Sequence, residues 1–528
     1  MKVSGMSASL KYKPLDNIGL NGLNTQANPT TLDVSWLTIA DNIVLRESGR
    51  ISFRKGFRQN VLANTSKVGA IGETDSGVVV AAVGTNMYTV DFTTPDTPWT
   101  GAYAVTGGTD SDWKMVAMKD ELYCVQANHE MLEYDTGVWT PISSTTGYNA
   151  TAASSITTMN PSCGMSFYGR MWVGGCSQDK GVLLYSDTLN AHKWGSGAAG
   201  FVDLHTVWDS DEIVAVAPFY GKLVIFGRHN IVIYNNPTDP GNMLLDEVIR
   251  GVGCVSRDSV VAVGDDLMFM SDTGLRSLFR TTEKDKLPLT DLSLNIKDTI
   301  VRNIASSSNG DIKSCYVETE GVLVTSFVNL GITYVFDIKH KTPNEAPRIT
   351  TWSFSGDRGI SALAYLPIRG FLVGQEAGSI ATYEGYFDKV YVSGGTYTSY
   401  PYNGNFKTIW INLGDSVVAS LLKKMKAVIS GGPGTQVGVK WYKDFSVTPS
   451  KTLGFTLNPS SSGTSYLWGS STSLFGTAKY APIFGLKEYN IPLTGSAKFL
   501  QLEMSAETAG YTAALQDLTL LFKQGKIR

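Results

Sequence analysis

The acidic residues of this chain form three closely spaced groups that could act as paired carboxylates. They are Asp209 with Asp211 and Glu212, Asp265 with Asp266, and Asp110 with Asp112. Two carboxyl groups on either side of a glycosidic bond can serve as general acid and as base or nucleophile. All three groups, however, fall where turns are expected, and Asp is favoured in turns because its side chain bonds nearby backbone N–H groups. We therefore interpret them as turn residues rather than as a catalytic pair.

The histidines and the glycine-rich segments do not match other catalytic or cofactor motifs. The five histidines form no HExxH motif and no i,i+4 pair; they are His129, His192, His205, His229 and His340. Neither GxSxG nor a Walker A sequence is present. The segment GGPGTQ at 431–436 lacks the Lys-Ser/Thr of a phosphate loop and is interpreted as a hairpin turn. The sequence predicts no catalytic residue, no cofactor and no metal site.

The five cysteines are widely spaced and form no CxxC pair; they are Cys124, Cys163, Cys176, Cys254 and Cys315. Buried free thiols are expected, as in a protein made in a reducing cytoplasm. The N-terminal MKVSGMSASLKYK has no apolar core of a signal peptide, and no stretch approaches the ~20 apolar residues of a membrane-spanning helix. We expect a soluble protein without a cleavable export signal or stable membrane insertion.

The composition favours an all-β protein with many tight turns. Among 528 residues there are 54 Gly, 24 Tyr, 21 Phe and 11 Trp, and aromatic residues favour strands while Gly favours turns. The net charge of −3 argues against wrapping nucleic acid, which requires clustered Lys and Arg. It does not exclude a conduit along which DNA slides.

A repeated strand–turn–strand pattern is expected to position any functional residues. It is clearest at 213–279, where IVAVAPFYGKLVIFGRHNIVIY is followed by SVVAVGDDLMFMSDTGLRSLF. Similar copies recur at intervals of 35 to 55 residues; aligned on the first apolar residue after the turn, they fall at Met87, Leu122, Met171, Leu223, Leu267, Val322 and Phe371. A four-stranded blade takes roughly 40–50 residues. The pattern predicts a propeller of six to seven blades over residues 66–393.

The two ends of the chain differ from this repeat. Residues 1–65 are expected to form an N-terminal arm with platform strands and a basic edge, and 284–303 shows helical spacing. Residues 394–528 follow a boundary rich in Gly, Tyr and Ser, and TQVGVKWYKDFS alternates as a strand does. This C-terminal region is predicted to be a β-sandwich of four to six strands.

The order of several segments resembles the tail nozzle proteins of short-tailed phages, also called tail tubular protein B. The N-terminal pieces are GLNT, ADNI and SGRISFRKGF, and the C-terminal pieces are LLKKMKAV, VKWYKDFS and LQDLTLLFKQGK. The most specific sequence similarity lies in the segments WDSDEIVAVAPFYGKLVIF and GVGCVSRDSVVAVGDDLMFMSDTGL. The likeness covers nearly the whole chain and contains no catalytic signature.

This resemblance implies a structural virion protein rather than an enzyme, with N- and C-terminal segments that pack together as a platform against the adaptor. Six copies would form a tail nozzle below the portal and its adaptor, retain and release double-stranded DNA without binding it specifically, and hold tail fibres or spikes. The protein would be made in the host cytoplasm and located in the virion tail. Regional predictions for the adaptor or subunit interface are Arg46, Arg50, Arg54, Lys55, Trp441 and Tyr442. Those for loop contacts are Tyr397, Tyr400, Tyr402 and Phe406.

A carbohydrate-binding or glycoside-hydrolysing propeller is the alternative. The aromatic segments at 397–406 and 466–468 suit subunit contacts, but a lectin surface would use similar residues. A glycosidase would need convergent carboxylates in a central pocket, whereas a nozzle would need a ring of subunits.

Overall fold

The computed structural model describes residues 10–46, 50–62, 66–92, 99–105, 107, 111–127, 129–208, 210–279, 291–354, 358–393, 395–414, 418–457 and 485–524. Within these ranges the chain folds into predominantly antiparallel β-sheets with a single α-helix, which confirms the all-β fold class. No helix in the described ranges is both long and apolar enough to cross a membrane.

The N-terminal segment contributes six strands to two parts of the molecule. They are β1 (Leu10–Pro14), β2 (Gly22–Leu23), β3 (Trp36–Asp41), β4 (Ile43–Leu45), β5 (Ile51–Phe53) and β6 (Phe57–Leu62). The first five belong to the platform sheets, whereas β6 belongs to the propeller. The propeller therefore includes a strand that precedes residue 66, where the sequence pattern places the domain boundary.

Four consecutive four-stranded meanders form the first blades of the propeller. Blade 1 contains β7 (Val68–Glu73), β8 (Val79–Val83), β9 (Asn86–Val90) and β10 (Thr100–Ala104). Blade 2 contains β11 (Lys114–Met118), β12 (Glu121–Gln126), β13 (His129–Asp135) and β14 (Val138–Pro141). Blade 3 contains β15 (Cys163–Phe167), β16 (Arg170–Gly174), β17 (Val182–Tyr185) and β18 (Gly200–Asp203). Blade 4 contains β19 (Ile213–Phe219), β20 (Lys222–Gly227), β21 (Asn230–Asn235) and β22 (Leu244–Arg250).

The second half of the ring begins with a shorter sheet. It contains β23 (Val261–Val263), β24 (Asp266–Ser271) and β25 (Gly274–Ser277), and helix α1 (Lys297–Ala305) follows. Blade 5 contains β26 (Ile312–Val317), β27 (Val322–Phe327), β28 (Ile332–Lys341) and β29 (Pro347–Trp352). Blade 6 contains β30 (Ile360–Leu366), β31 (Gly370–Gln375), β32 (Ser379–Tyr383) and, as outer strand, β6. Six four-stranded blades and one three-stranded sheet make the expected irregular propeller.

The first strand of each blade lies innermost, and neighbouring first strands contact each other around the ring, except that β19 meets the 3-10 turn Arg257–Ser259 before β23. The ring closes because β30 lies against β7 and because β6, from the N-terminal side, pairs with β32. Such closure leaves no first or last blade free to separate.

The turns between inner strands are as tight as the repeat predicts. In blades 3 and 4 the two central residues are Tyr168-Gly169 and Tyr220-Gly221, all with φ between 47° and 76°. Two positive φ values at these positions are the mark of a type I′ hairpin. In most copies the aligned residue follows the turn between the first and second strands of a blade. In blade 1, however, Met87 follows the turn at Gly84, which joins the second strand, β8, to the third strand, β9.

The C-terminal region supplies the remaining strands. They are β33 (Asp388–Ser393), β34 (Thr396–Tyr400), β35 (Asn403–Thr408), β36 (Ile411–Asn412), β37 (Ser420–Gly431), β38 (Gln436–Lys443), β39 (Lys451–Thr456), β40 (Gly485–Pro492), β41 (Ser496–Ala497), β42 (Phe499–Glu507) and β43 (Ala513–Gln524). The hairpin β33–β34 joins the sheet of blade 6 through β6.

The other C-terminal strands and the N-terminal strands form a two-sheet platform. One sheet has the order β4-β5-β43-β37-β40, with β1 on β43 and β41 on β37. The other continues from β29 of blade 5 through β2, β3, β35, β42, β38 and β39, with β36 on β42. The platform built from both ends of the chain is thus confirmed, and it shares one sheet with the propeller.

A single apolar core joins the platform sheets to blade 5 and to α1. Leu37, Met425 and Trp441 have no exposed surface within it, and burying a side chain of this size stabilises by about 1.5–3 kcal/mol. Ile300 and Ile304 of α1 are buried against the same core. The helix therefore begins later than the helical spacing at 284–303 predicts, and 280–290 lies outside the described residues.

Candidate functional site

Five charged side chains lie together where the inner strands approach the propeller axis. This axial cluster consists of Asp112, Lys114, Arg257, Asp258 and Lys313. Asp112 precedes β11 and Lys114 lies in it; Arg257 and Asp258 lie in a 3-10 turn before β23, and Lys313 lies in β26. The cluster therefore brings together, at one point on the axis, segments that are up to 201 residues apart in sequence.

Arg257 lies at the centre of the axial cluster and is almost fully buried. Its Nη2 lies 2.9 Å from Asp112 Oδ2, and its Nε lies 3.3 Å from Asp258 Oδ2. The guanidinium also donates to the carbonyl oxygens of Ser162, at 2.7 Å, and Asp112, at 2.8 Å. Since Arg is a planar multiple donor, one side chain can fix blade 2, blade 3 and the turn before β23 relative to each other.

Lys313 makes the corresponding connection to blades 1 and 5. Its Nζ lies 2.7 Å from Asp112 Oδ1 and 3.6 Å from Asp258 Oδ2, and it donates to the Gly69 carbonyl at 3.0 Å. A Cβ on Gly69 would lie 2.0 Å from the Ser111 carbonyl oxygen. Only glycine permits blade 1 to approach the axial cluster this closely.

The balance of burial and charge keeps the axial cluster ionised. Burial alone would raise the pKa of Asp258, but Arg257, Lys313 and Lys114 outweigh it and hold that pKa well below its usual range. Burial likewise opposes the charge of Lys313 and of Arg257, but the carboxylates of Asp258 and Asp112 raise the pKa of both. At neutral pH these three groups carry fixed charges and are poor general acids or bases. The geometry favours a structural role.

Cavities lie on both sides of the axial cluster. One, of about 410 Å³, is lined by residues that include Gln126, His129 and Asn309, together with Asp112 and Arg257. The other, of about 740 Å³, is lined near the opposite ends of the inner strands by Glu73, Asp75, Glu318 and Tyr365, and reaches Lys114. The axial cluster thus interrupts the central space of the propeller between its two mouths.

The carboxylates that suggested glycosidase chemistry bond nearby groups instead. Asp211 accepts from the backbone N–H groups of Glu212, Arg228 and His229 at 2.8–2.9 Å and from Asn230 Nδ2 at 2.8 Å. This carboxylate orders the turn between β20 and β21.

The remaining acidic candidates are also dispersed. Asp266 accepts from the Phe279 N–H at 3.0 Å and from the Ser277 hydroxyl, while Asp265 is exposed at the hairpin corner. Asp112 belongs to the axial cluster, and Asp110 and Asp209 lie outside the described residues. The structure therefore does not bring the described members of these pairs together in one pocket.

Arg54 is predicted at a subunit interface, but its side chain is fully buried. Its Nη1 and Nη2 lie 3.2 and 3.3 Å from the two carboxylate oxygens of Asp388, and its Nε donates to Asn42 Oδ1 at 2.8 Å. The guanidinium carbon lies 4.0 Å from the ring centroid of Tyr402. Asp388 also accepts from the Phe57 N–H at 3.1 Å. Arg54 therefore joins the platform to blade 6 and offers no surface to a partner.

The other basic residues of this segment are more accessible. Lys55 Nζ lies 2.5 Å from Glu320 Oε1, and Arg46 Nη1 lies 3.8 Å from Glu320 Oε2; both basic side chains are about 40% exposed. Arg46 and Glu320 line a cavity of about 380 Å³ between β4 and blade 5. Arg50 is partly buried. Arg46 and Lys55 are the basic residues of this group that present substantial surface.

Two aromatic interface candidates lie inside the platform. Trp441 has no exposed surface, and the Tyr442 hydroxyl donates to Glu503 Oε2 at 2.6 Å. Strand β38 pairs with β42 on one side and with β39 on the other, and its successive side chains point to opposite faces of the sheet. Trp441 packs in the platform core, whereas Tyr442 points to the opposite face and is covered there by Glu503 and by Lys407, whose Nζ lies 3.8 Å from the tyrosine ring centroid. Neither side chain offers substantial surface to a partner.

The candidate loop contacts divide into buried and accessible pairs. Tyr402 and Phe406 are buried, because Tyr402 packs under Arg54 and Phe406 points inward from β35. Tyr397 is partly exposed, with the Arg58 guanidinium 4.9 Å from its ring centroid, and Tyr400 is exposed. Residues 466–468 lie outside the described ranges.

The structure brings together a second group, besides the axial cluster, that sequence spacing did not reveal. Glu121, Glu133 and His192 place their ligating atoms within 4.8 Å of one another, although no local metal-binding motif includes them. Glu133 lies directly across the strand pair from Tyr123, two residues after Glu121. Only knowledge of the strand register and of the packing of blade 3 on blade 2 could have indicated this group.

No family model matches the sequence, and no curated protein matches it. Among solved structures, the chain is similar to PorZ, a surface component of the type-IX secretion system of Porphyromonas gingivalis, with a TM-score of 0.36 and 16% identity over 70% of this chain and 44% of that one. It is also similar to YCF48 from Cyanidioschyzon merolae, with a TM-score of 0.36, 11% identity and coverage of 62% and 98%. The Neurospora crassa Pan2 WD40 domain gives a TM-score of 0.38, 6% identity and coverage of 62% and 95%. The chain thus spans less than half the length of the PorZ chain.

Proposed function

We propose that this chain is a structural subunit of the tail nozzle of a short-tailed phage. The observation that carries the proposal is the platform that the N- and C-terminal strands build together, with the propeller inserted between them. This arrangement agrees with the one that the sequence resemblance implies at both ends of the chain. Six copies would form a ring below the portal and adaptor, in the tail of a virion assembled in the host cytoplasm.

Because the central space of each propeller is blocked, the conduit would run along the axis of the hexameric ring and not through the individual subunits. Buried ion pairs among Asp112, Arg257 and Lys313 occupy the centre of the propeller. DNA would therefore pass along the axis of the hexamer, with propellers as rigid walls. The net charge of −3 suits such a lumen, because each phosphate held by a cation adds an attachment that must be broken during ejection.

The accessible members of the predicted contact set are the residues to examine for assembly. Arg46 and Lys55 lie at the outer side of the platform–propeller joint, and Tyr397 and Tyr400 lie on the β33–β34 hairpin. We assign the first pair to contact with the adaptor or a neighbouring subunit and the second pair to contact with fibres or spikes. In this proposal the chain is not an enzyme and uses no cofactor.

Electron microscopy of virions that carry the chain tests the proposal. Antibodies against the purified chain should decorate a sixfold ring at the end of the short tail, distal to portal and adaptor. Absence of the chain from purified particles would refute the nozzle. Glycan hydrolysis by the monomeric protein would instead support the carbohydrate-active alternative.

An assembly assay with purified portal–adaptor complexes tests the interface residues separately. Replacing Arg46 and Lys55 together by alanine should reduce binding of the chain to these complexes while leaving its thermal unfolding unchanged. Lys222→Ala is the matched control, because Lys222 is 38% exposed, close to the 40% of Lys55, and pairs with Asp246 in the propeller. If the double variant binds as well as the unchanged protein, these two residues do not belong to the interface. The nozzle proposal itself is then tested by the electron microscopy alone.

A further inference from the structure

Blades 2 and 3 bring two carboxylates and an imidazole together beside the apolar core that they share. Glu121 and Tyr123 lie two residues apart on β12, and Glu133 faces Tyr123 from β13. Because side chains alternate along a strand, all three point to the same face of blade 2. His192 reaches this face from the loop between β17 and β18 of blade 3.

The four side chains are within direct contact distance. The Tyr123 hydroxyl lies 2.6 Å from Glu121 Oε2 and 3.0 Å from Glu133 Oε1. His192 Nε2 lies 2.6 Å from the same oxygen of Glu133. The ligating atoms of the two glutamates and the histidine are all within 4.8 Å of one another.

These contacts contain too few protons for two ionised glutamates. The Tyr123 hydroxyl carries one proton and His192 Nε2 carries at most one, whereas three short contacts join the four groups. One oxygen–oxygen contact therefore has no hydrogen in it. Tyr123 is fully buried and Glu133 is 5% exposed, so solvent cannot screen the carboxylate, and a buried charge requires a compensating positive one.

The loop that carries His192 is held rigidly on blade 2. Ala191 and Trp194, on either side of the histidine, are buried in the core shared by blades 2 and 3. The His192 N–H donates to Asn190 Oδ1, and its carbonyl accepts from the Asn149 N–H, both at 2.9 Å. The imidazole is thus positioned by packing and by its backbone, which is what a preorganised ligand requires.

We propose that Glu121, Glu133 and His192 bind a divalent transition-metal ion of the Zn²⁺ or Mn²⁺ type that links blade 2 to blade 3. Imidazole nitrogen with carboxylate oxygen suits these ions, and two carboxylates neutralise a double positive charge. Metal–ligand bonds of about 2.0–2.2 Å allow donor atoms up to roughly 4.4 Å apart, so small side-chain movements suffice. The Tyr123 hydroxyl would donate a hydrogen bond to a ligating carboxylate. His192 is 24% exposed, so the ion can reach the site from solvent.

Isothermal titration of the chelator-treated full-length protein tests this site with Zn²⁺ and with Mn²⁺. We expect one equivalent of bound ion and a higher unfolding temperature in its presence, with Mg²⁺ binding much more weakly. Glu133→Gln and His192→Gln should each lower the affinity at least tenfold. His229→Gln should bind as the unchanged protein does, because His229 is an exposed histidine of blade 4 and lies outside the group.

The comparison remains decisive if one variant folds poorly. His192 is partly exposed and lies in a loop, so His192→Gln should unfold at the same temperature as the unchanged protein when chelator is present. Anomalous diffraction from crystals grown with Zn²⁺ should place one peak between β12 and the His192 loop. Equal affinity of the unchanged protein and His192→Gln, or a peak elsewhere only, would overturn the proposal.

Discussion

Replacing Asp258 by asparagine should strongly destabilise the propeller. The axial cluster contains three cations and two carboxylates, and Asp258 lies 3.3 Å from Arg257 and from Lys114 and 3.6 Å from Lys313. Asparagine keeps the shape of the side chain but leaves three cations facing one carboxylate. Removing one partner of a buried ion pair costs about 3–5 kcal/mol, because the remaining charge is left unpaired.

This energy corresponds to a measurable change in unfolding temperature. With an unfolding entropy of about 2.1 cal/mol/K per residue, a propeller of roughly 320 residues has about 0.7 kcal/mol/K, so the loss corresponds to about 4–7 °C. Differential scanning calorimetry with a second probe, such as tryptophan fluorescence, is the appropriate assay because a protein of this size need not unfold in one step.

Lys114→Met is the matched control, because it removes a positive charge from the axial cluster where Asp258→Asn removes a negative one. Lys114 is one of the three cations, but its side chain is 35% exposed, and its removal brings the axial cluster to neutrality. This variant should lose less than about 1 kcal/mol, as partly solvated ion pairs do. If Lys114→Met lowers the unfolding temperature as much as Asp258→Asn, the electrostatic explanation of the axial cluster is refuted.

The pH dependence of Asp258→Asn gives an independent check. Surrounding cations depress the pKa of Asp258 in the folded protein, so its stabilising effect is complete above the ordinary aspartate pKa, near ~4. As the pH falls below that value towards the depressed pKa, the unfolded chain takes up the proton first and the effect is lost. The difference between the unchanged protein and the variant should therefore narrow in acid, and a difference that grows in acid would contradict this assignment.

Three further predictions concern other parts of the fold. Arg54→Met should lower stability by up to about 3 kcal/mol, because Asp388 loses the guanidinium that bonds both its carboxylate oxygens and keeps Arg358 at 3.8 Å. Asp388→Asn in the same chain should restore part of the loss in thermal unfolding; no restoration would argue against the buried pair. Gly69→Ala should reduce the unfolding temperature because its Cβ would lie 2.0 Å from the Ser111 carbonyl oxygen. Gly241→Ala should change it little, because its Cβ would lie at an ordinary contact distance of 3.8 Å from Asp239 Oδ1; equal shifts would refute the close approach. The five buried thiols should react with a thiol reagent only after denaturant is added, since burial raises the pKa of each and the thiolate is the reactive form; fast labelling of the folded protein would contradict it.

The axial cluster explains how a propeller with unequal blades can remain in register. Loops of different length and one three-stranded sheet weaken the regular packing of neighbouring blades. Arg257 and Lys313 compensate by bonding to backbone or carboxylate groups of blades 1, 2 and 3 from the opposite side of the ring. In the proposed nozzle, such a rigid unit could transmit a movement of the platform to the end of the tail without deforming.

Several features of the fold follow from the sequence because they depend on local patterns. Short apolar runs and the Tyr-Gly turns of blades 3 and 4 are sufficient to predict strands, tight hairpins and a repeated meander. The isolated spacing of the five cysteines indicated free thiols, and all five are free and buried. The prediction of a platform built from both ends of the chain rested on the resemblance, because the segments that carry it lie at both ends.

Tertiary structure decided which polar residues meet and which of them face solvent. Arg46, Arg54 and Lys55 look alike in sequence, yet only Arg54 enters the joint between platform and blade 6, because Asp388 arrives there from a strand more than 300 residues later. The axial cluster and the Glu121–Glu133–His192 group likewise combine residues from different blades. Ionic and metal-binding contacts depend on distances of a few ångströms across strands and blades, and residue spacing along the chain does not encode those distances.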